Sequence, residues 1–256
     1  MSLRPLANIS ILLVEDNEMN TLLASAIIQG TGANVTEADN GMDAIQLLRN
    51  RSFDLVLMDL HLPVMDGFET TRYIRNNLSL TVPVIAITAN VIHGEESKCI
   101  EAGMNGFISK PYTEKELLDK IATCIPFKNG IAESTATTNA TPSSALYNLS
   151  FLEDVSKGNR HMLREMIHVF VEQAPAAVSQ LKTAYNNHNF NEMYAIAHRI
   201  KPDIDNLDIV SLKDDIRKIE MFAEQKQNGP VLKNLIINLD DTLAQVVREL
   251  KVNILS

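Results

Sequence analysis

Five polar residues in the first half of the chain, Glu15, Asp16, Asp59, Thr88 and Lys110, stand where apolar runs end. Clustered carboxylates repel one another at neutral pH, and a hard divalent cation relieves that repulsion. Magnesium prefers oxygen ligands and keeps several waters, so one or two carboxylates and a phosphate suffice to hold it. A hydroxyl and an ammonium facing the same point can hold two further phosphoryl oxygens and stabilise charge during in-line transfer. In the second half, His198 and Lys201 lie one helical turn apart. An exposed neutral imidazole is a good nucleophile, and a nearby ammonium favours its doubly negative phosphorylated form.

The elements that must position these groups follow from the apolar pattern. Short continuous runs at 9–14, 34–38, 55–59, 84–88 and 106–109 alternate with helically spaced stretches at 19–29, 41–49, 67–76, 95–102 and 113–123. Five strands alternating with five helices predict an α/β doubly wound parallel sheet covered on both faces. Right-handed crossovers in the order 2-1-3-4-5 make strands one and three neighbours, and function gathers at the carboxyl ends of the strands. Glu15, Asp16 and Asp59 then converge in one crevice, with Thr88 and Lys110 facing it.

Residues 128–145, KNGIAESTATTNATPSSA, are rich in Ser, Thr, Asn and Ala and bear almost no large apolar side chain. Such a segment cannot bury enough surface to fold and is expected to be a linker spanning roughly 25 Å root-mean-square. Beyond Tyr147 helical patterns cover 159–187, 189–204, 211–227 and 230–252. Pro175 is expected to bend or interrupt the first, and Pro230 suits a first helical turn. The expected organisation is therefore 1–127 as the α/β domain, 128–145 as linker and 146–256 as an all-α antiparallel four-helix bundle. On the His198 helix, Met193, Ala197, Ile200 and Ile204 form one apolar stripe, which leaves His198 pointing into solvent with Lys201 beside it.

Four segments carry a resemblance. VEDNEMN (14–20), LVLMDLHLPVMDGFE (55–69), ITAN (87–90) and SKP (109–111) resemble the signatures of a two-component receiver domain, in order and spacing, over roughly residues 9–125. The resemblance implies a flavodoxin-like fold, Asp59 as phosphoacceptor, Glu15, Asp16 and Asp59 as magnesium ligands, and the His61 backbone carbonyl as a further ligand. It also implies that Thr88 and Lys110 bind the phosphoryl group and that Phe107 is a switch aromatic. The VEDN opening especially resembles receivers attached to hybrid sensor kinases. AIAHRIKPDIDNLDI (195–209) is similar to the signature of histidine-phosphotransfer domains, which implies that His198 carries a phosphoryl group with Lys201 assisting. Such domains usually place glycine after the lysine. Pro202 stands there instead, removing a hydrogen bond to the His198 carbonyl, and Asp203 and Asp205 add negative charge nearby.

The implied function is a phosphorelay among Asp and His sites, with a histidine kinase and other receiver or phosphotransfer domains as partners. No segment resembles the ATP-binding region of a histidine kinase, so autophosphorylation from ATP is not expected, although a parent hybrid kinase is compatible. A net charge of −9 disfavours nucleic acid. The absence of a long apolar run disfavours membrane insertion, and an opening without a signal-peptide pattern, with only two cysteines, fits a cytoplasmic setting. An Asp-x-Asp phosphatase is excluded because position 61 is His. Two rivals remain: a phosphorylation-dependent interaction switch, and a phosphate sink beside a silent bundle.

Overall fold

The computed structural model describes residues 6–88, 95–125 and 146–255. The chain divides into two units, Met1–Ala136 and Thr137–Ser256. The expected linker at 128–145 lies outside the described residues, as does Asn90 of the ITAN segment.

In the first unit, five strands alternate with helices: β1 (Ser10–Val14), α1 (Glu18–Gly30), β2 (Asn34–Ala38), α2 (Gly41–Asn50), β3 (Leu55–Asp59), α3 (Gly67–Asn76), β4 (Val84–Thr88), α4 (Glu95–Ala102), β5 (Gly106–Ser109) and α5 (Glu114–Cys124). The strands form one parallel sheet, ordered β2-β1-β3-β4-β5, in the flavodoxin-like topology. Alternation sends successive side chains to opposite faces. Leu12, Val14, Val56, Met58, Val84 and Ala86 enter one core cluster with Ala44 and Leu48 of α2, Ile74 of α3 and Cys99 of α4. The intervening Ile11, Leu13, Leu55, Leu57, Ile85 and Ile87 are equally buried, as are Leu23 and Ile27 of α1 and Leu117 and Ile121 of α5. Both faces are therefore covered, which is why β1, β3 and β4 read as continuous apolar runs.

The helices begin where side chains satisfy their first N–H groups. Asn17, Asn40 and Asp66 accept from the N–H three residues on, and Thr113 forms a capping box with Glu116. These caps fix where each strand-to-helix loop ends, and so hold the crevice at the strand ends.

The second unit is helical. A short α6 (Ser150–Ser156) precedes α7 (Arg160–Asn186), α8 (Phe190–Asn206), α9 (Val210–Glu224) and α10 (Pro230–Leu250), which runs into a π-helical turn (Lys251–Leu255). At seven residues α6 is too short for periodicity to reveal. α8 packs against α7 and α9, and α10 packs against α7 and α9. α7 continues through Pro175 rather than stopping there, and Pro230 occupies the first turn of α10. Among the described residues no helix is long and apolar enough to cross a membrane.

Candidate functional site

In the first unit the register sets Val14 beside Met58, Asp59 beside Ile87 and Thr88 beside Ser109, so four strand ends meet at one edge. Glu15, Asp16 and Asp59 each bring a carboxylate oxygen within 4.8 Å of the others. Glu15, Asp59 and Thr88 are buried, whereas Asp16 and His61 are half-buried. Lys110 Nζ lies 2.5 Å from Glu15 Oε2 and 2.5 Å from Asp59 Oδ2. The His61 backbone N–H donates to Asp59 Oδ1 at 2.9 Å, and the Lys110 N–H donates to the Thr88 carbonyl at 2.6 Å. The expected crevice residues are therefore brought together.

Two neighbours extend this arrangement. The Asn20 side-chain amide donates to Glu15 Oε1 at 3.0 Å, and α3 begins directly behind Asp59. A β-carbon at Gly67 would overlap the Asp59 carbonyl oxygen and lie 2.9 Å from Leu60 Cα, so the approach requires glycine. Phe107 is half-buried, with Lys120 Nζ 5.4 Å from its ring centroid.

One ammonium, Lys110, pairs with two of the three acids here. Burial pushes the Glu15 carboxyl up to about 8; Lys110 opposes that shift and Asp59 adds to it. Burial also disfavours the Lys110 ammonium, but Asp59 and Glu15 outweigh it and hold its pKa above the ordinary lysine value. Burial likewise raises the Tyr112 phenol above its usual value, against Lys110 and with Glu15 and Asp59. The donor set fits magnesium: three hard oxygen ligands converge, two of them buried, with too little positive charge among them.

In the second unit Met193, Ala197, Ile200 and Ile204 are buried as the stripe requires. His198 and Lys201 depart from expectation. The His198 side chain is only 15% exposed and Lys201 8%. Both turn onto Glu220 of α9: His198 Nδ1 lies 2.5 Å from Oε1, and Lys201 Nζ lies 2.8 Å from Oε1 and 2.6 Å from Oε2. The solvent-facing imidazole is thus corrected to a half-buried one, because a helical wheel for α8 cannot include what α9 brings across. Burial alone would raise the Glu220 carboxyl, but hydrogen bonds from His198 and Lys201 and the Lys201 charge bring it down to about 2. The Tyr194 ring stacks on the imidazole, centroids 5.8 Å apart and planes 16° apart.

Of the two acids expected near His198, one is paired with an arginine and the other is buried. Asp205 takes a two-pronged hydrogen bond from Arg217 at 2.9 and 3.1 Å, and Asp203 is buried. α8 continues through Pro202 to Asn206. The other histidines of this unit differ in setting: His161 and His168 are exposed, and His188 sits in the turn after α7. Glu220 is the residue the sequence reading missed. Its only local signal is a place on the amphipathic α9, three residues after Arg217.

The sheet order and its acidic edge are those of a class, the receiver domains of two-component signalling. The response regulator receiver domain family matches residues 11–122, and the chain belongs to it. The polar-differentiation response regulator DivK of Brucella anthropi is 35% identical over 113 residues, covering 44% of this chain and 92% of DivK. The sensor protein GacS of Pseudomonas syringae pv. syringae is 25% identical over 252 residues, 94% of this chain and 27% of GacS. A receiver domain of a sensor histidine kinase from Pseudomonas aeruginosa PAO1, solved with magnesium in its active-site cleft, is 38% identical, covers 46% of this chain and 98% of that one, and has a TM-score of 0.43. The chain spans 11–15% of the length of the rice and Arabidopsis histidine kinases it matches.

Proposed function

We infer that the chain is a phosphorelay protein in which Asp59 accepts a phosphoryl group with magnesium and His198, on an antiparallel four-helix phosphotransfer bundle, passes it on. The observation that carries the reading is a pair of matched sites: a strand-end carboxylate under a lysine in one unit, and an imidazole held by a carboxylate and a lysine in the other. The alignment with GacS supports their belonging together, since it runs through both units.

Geometry and the likeness to receiver and phosphotransfer domains support the following roles. The Asp59 carboxylate is oriented by the His61 N–H on Oδ1 and by Lys110 on Oδ2. It attacks phosphorus in line; an O–P bond forms as the N–P bond of a donor phosphohistidine breaks, and the departing imidazole is left neutral or takes a proton. Lys110 and the Thr88 hydroxyl hold phosphoryl oxygens. Glu15, Asp16, Asp59 and the His61 carbonyl would hold magnesium, which when bound would supply charge neutralisation at the transferring group. In the bundle, Glu220 accepts a hydrogen bond from His198 Nδ1–H, which leaves Nε2 as the nucleophile, and Lys201 holds the same carboxylate in place. A histidine kinase would supply Asp59, and other receivers or phosphotransfer domains would exchange with either site. A cytoplasmic place fits these partners.

The test is phosphorylation of wild type, Asp59→Asn and His198→Ala by acetyl phosphate with magnesium, the products sorted by stability in acid and alkali. A base-stable product that needs both Asp59 and His198 is expected. A purely base-labile product indifferent to His198→Ala, even with other receivers as donors, would leave an interaction switch or a phosphate sink.

A further inference from the structure

The two oxygens of Glu15 are held differently. Oε1 accepts from the Asn20 side-chain amide at 3.0 Å, with the Asn17 N–H 3.4 Å away, while Oε2 lies against Lys110 Nζ. Asn20 is only 4% exposed, in the first turn of α1 beside the buried Met19, Leu23 and Ala24. Its own N–H donates to the capping Asn17 side chain at 2.8 Å, so its backbone is fixed as well. A buried amide on an apolar helix face is unfavourable unless it is hydrogen-bonded, and this one is directed at an acid of the crevice. Glutamate has one more rotatable bond than aspartate, so an acid of this length needs restraint to present an oxygen at a fixed point.

We propose that Asn20 is a positioning residue for the divalent cation: by holding Glu15 Oε1 it turns Oε2 toward Asp59, into the place where a metal ion and Lys110 compete for it. The proposal rests on Glu15, Asp16 and Asp59 being the magnesium ligands. Fixing the ligand beforehand spares its ordering when the ion binds, which is how partners behind a metal ligand raise affinity.

Calorimetric titration of magnesium into the full chain tests it, on wild type, Asn20→Leu, Asn20→Ala, Glu15→Asp and the double variant Glu15→Asp/Asn20→Leu, with melting in EDTA as the folding control. Leucine keeps the branched outline of asparagine and suits a helix, while the smaller alanine controls for its greater bulk. Each Asn20 variant is expected to raise the magnesium dissociation constant about tenfold. Once Glu15 is shortened by a methylene, beyond reach of the amide, Asn20→Leu should add nothing. Equal affinity in wild type and Asn20→Leu overturns the proposal, as does an equal penalty in both backgrounds or a loss of melting temperature alone. Failure of the underlying ligand assignment looks different: wild type takes up no magnesium, or Asp16→Asn binds it as wild type does.

Discussion

Replacing Glu220 by glutamine removes a charge from the His198 site while keeping its volume and one acceptor. The carboxylate meets His198 Nδ1 at 2.5 Å and Lys201 Nζ at 2.6 and 2.8 Å, with only 14% of its side chain exposed. A fall from the ordinary 4.5 to about 2 corresponds to about 3 kcal/mol at roughly 1.4 kcal/mol per tenfold, or about 2 kcal/mol after screening at the solvent edge. The folded state binds its proton less readily than the unfolded state. That stability is therefore fully present above pH 4.5 and is lost as pH falls through 4.5 toward 2. Acid unfolding of the wild-type helical unit, followed by circular dichroism, should be steeper in this window than that of Glu220→Gln. Transfer to His198 from a phosphorylated receiver should slow roughly 10–100-fold, as when the partner behind a working histidine is changed. Glu220→Ala should cost more, about 3–5 kcal/mol, because the buried Lys201 ammonium loses its counter-charge. Glu220→Leu with Lys201→Met removes both charges and should recover most of that stability but not the transfer. An unchanged acid limb together with an unchanged transfer rate in Glu220→Gln would refute the reasoning.

Three further outcomes are expected. Gly67→Ala drives a methyl group into the Asp59 carbonyl and Leu60, so urea unfolding should show a loss of about 1–3 kcal/mol, with slower phosphorylation of Asp59. Pro202→Ala restores a donor inside α8 and should stabilise the helical unit by about 1–3 kcal/mol in thermal unfolding; a lower melting temperature would show that Pro202 is needed there. Lys110→Met removes the ammonium shared by Glu15 and Asp59, so the variant should lose about 3 kcal/mol in EDTA, regain much of it with magnesium, and bind magnesium more tightly than wild type in calorimetry.

The first unit was legible because its signals are local. Apolar runs gave β2, β3, β4 and β5 to the residue, with β1 off by one, and the same runs ended at the acids that the sheet then gathered. Of the helical unit, the four long helices were legible to within about three residues from their 3.6-residue period. The surroundings of His198 were not. They depend on which residue of α9 lies across from α8, and a contact 22 residues distant in sequence leaves no periodic trace on either helix. Asn20 was invisible for a related reason: a polar residue in the first turn of a helix reads as ordinary capping chemistry until its partner, Glu15, is seen.

Both sites use a lysine against a carboxylate, but to different ends. Lys110 bridges Glu15 and Asp59, two of the acids proposed to hold magnesium, so a bound ion would compete for its partners and would release its ammonium toward a phosphoryl group on Asp59. Among the described residues, no cluster of metal-ligating side chains lies at Lys201. Its carboxylate, Glu220, comes from a neighbouring helix and is shared with the imidazole, so the lysine stays and fixes the electrostatics of His198 in advance. The first arrangement suits a site that must sense its own phosphorylation, because binding moves a charge. The second suits a carrier, which must look the same before and after each transfer. On this reasoning a charge change at Lys110 alters metal affinity and signalling together, whereas one at Lys201 alters the rate of exchange and leaves the receiver's magnesium affinity as it was.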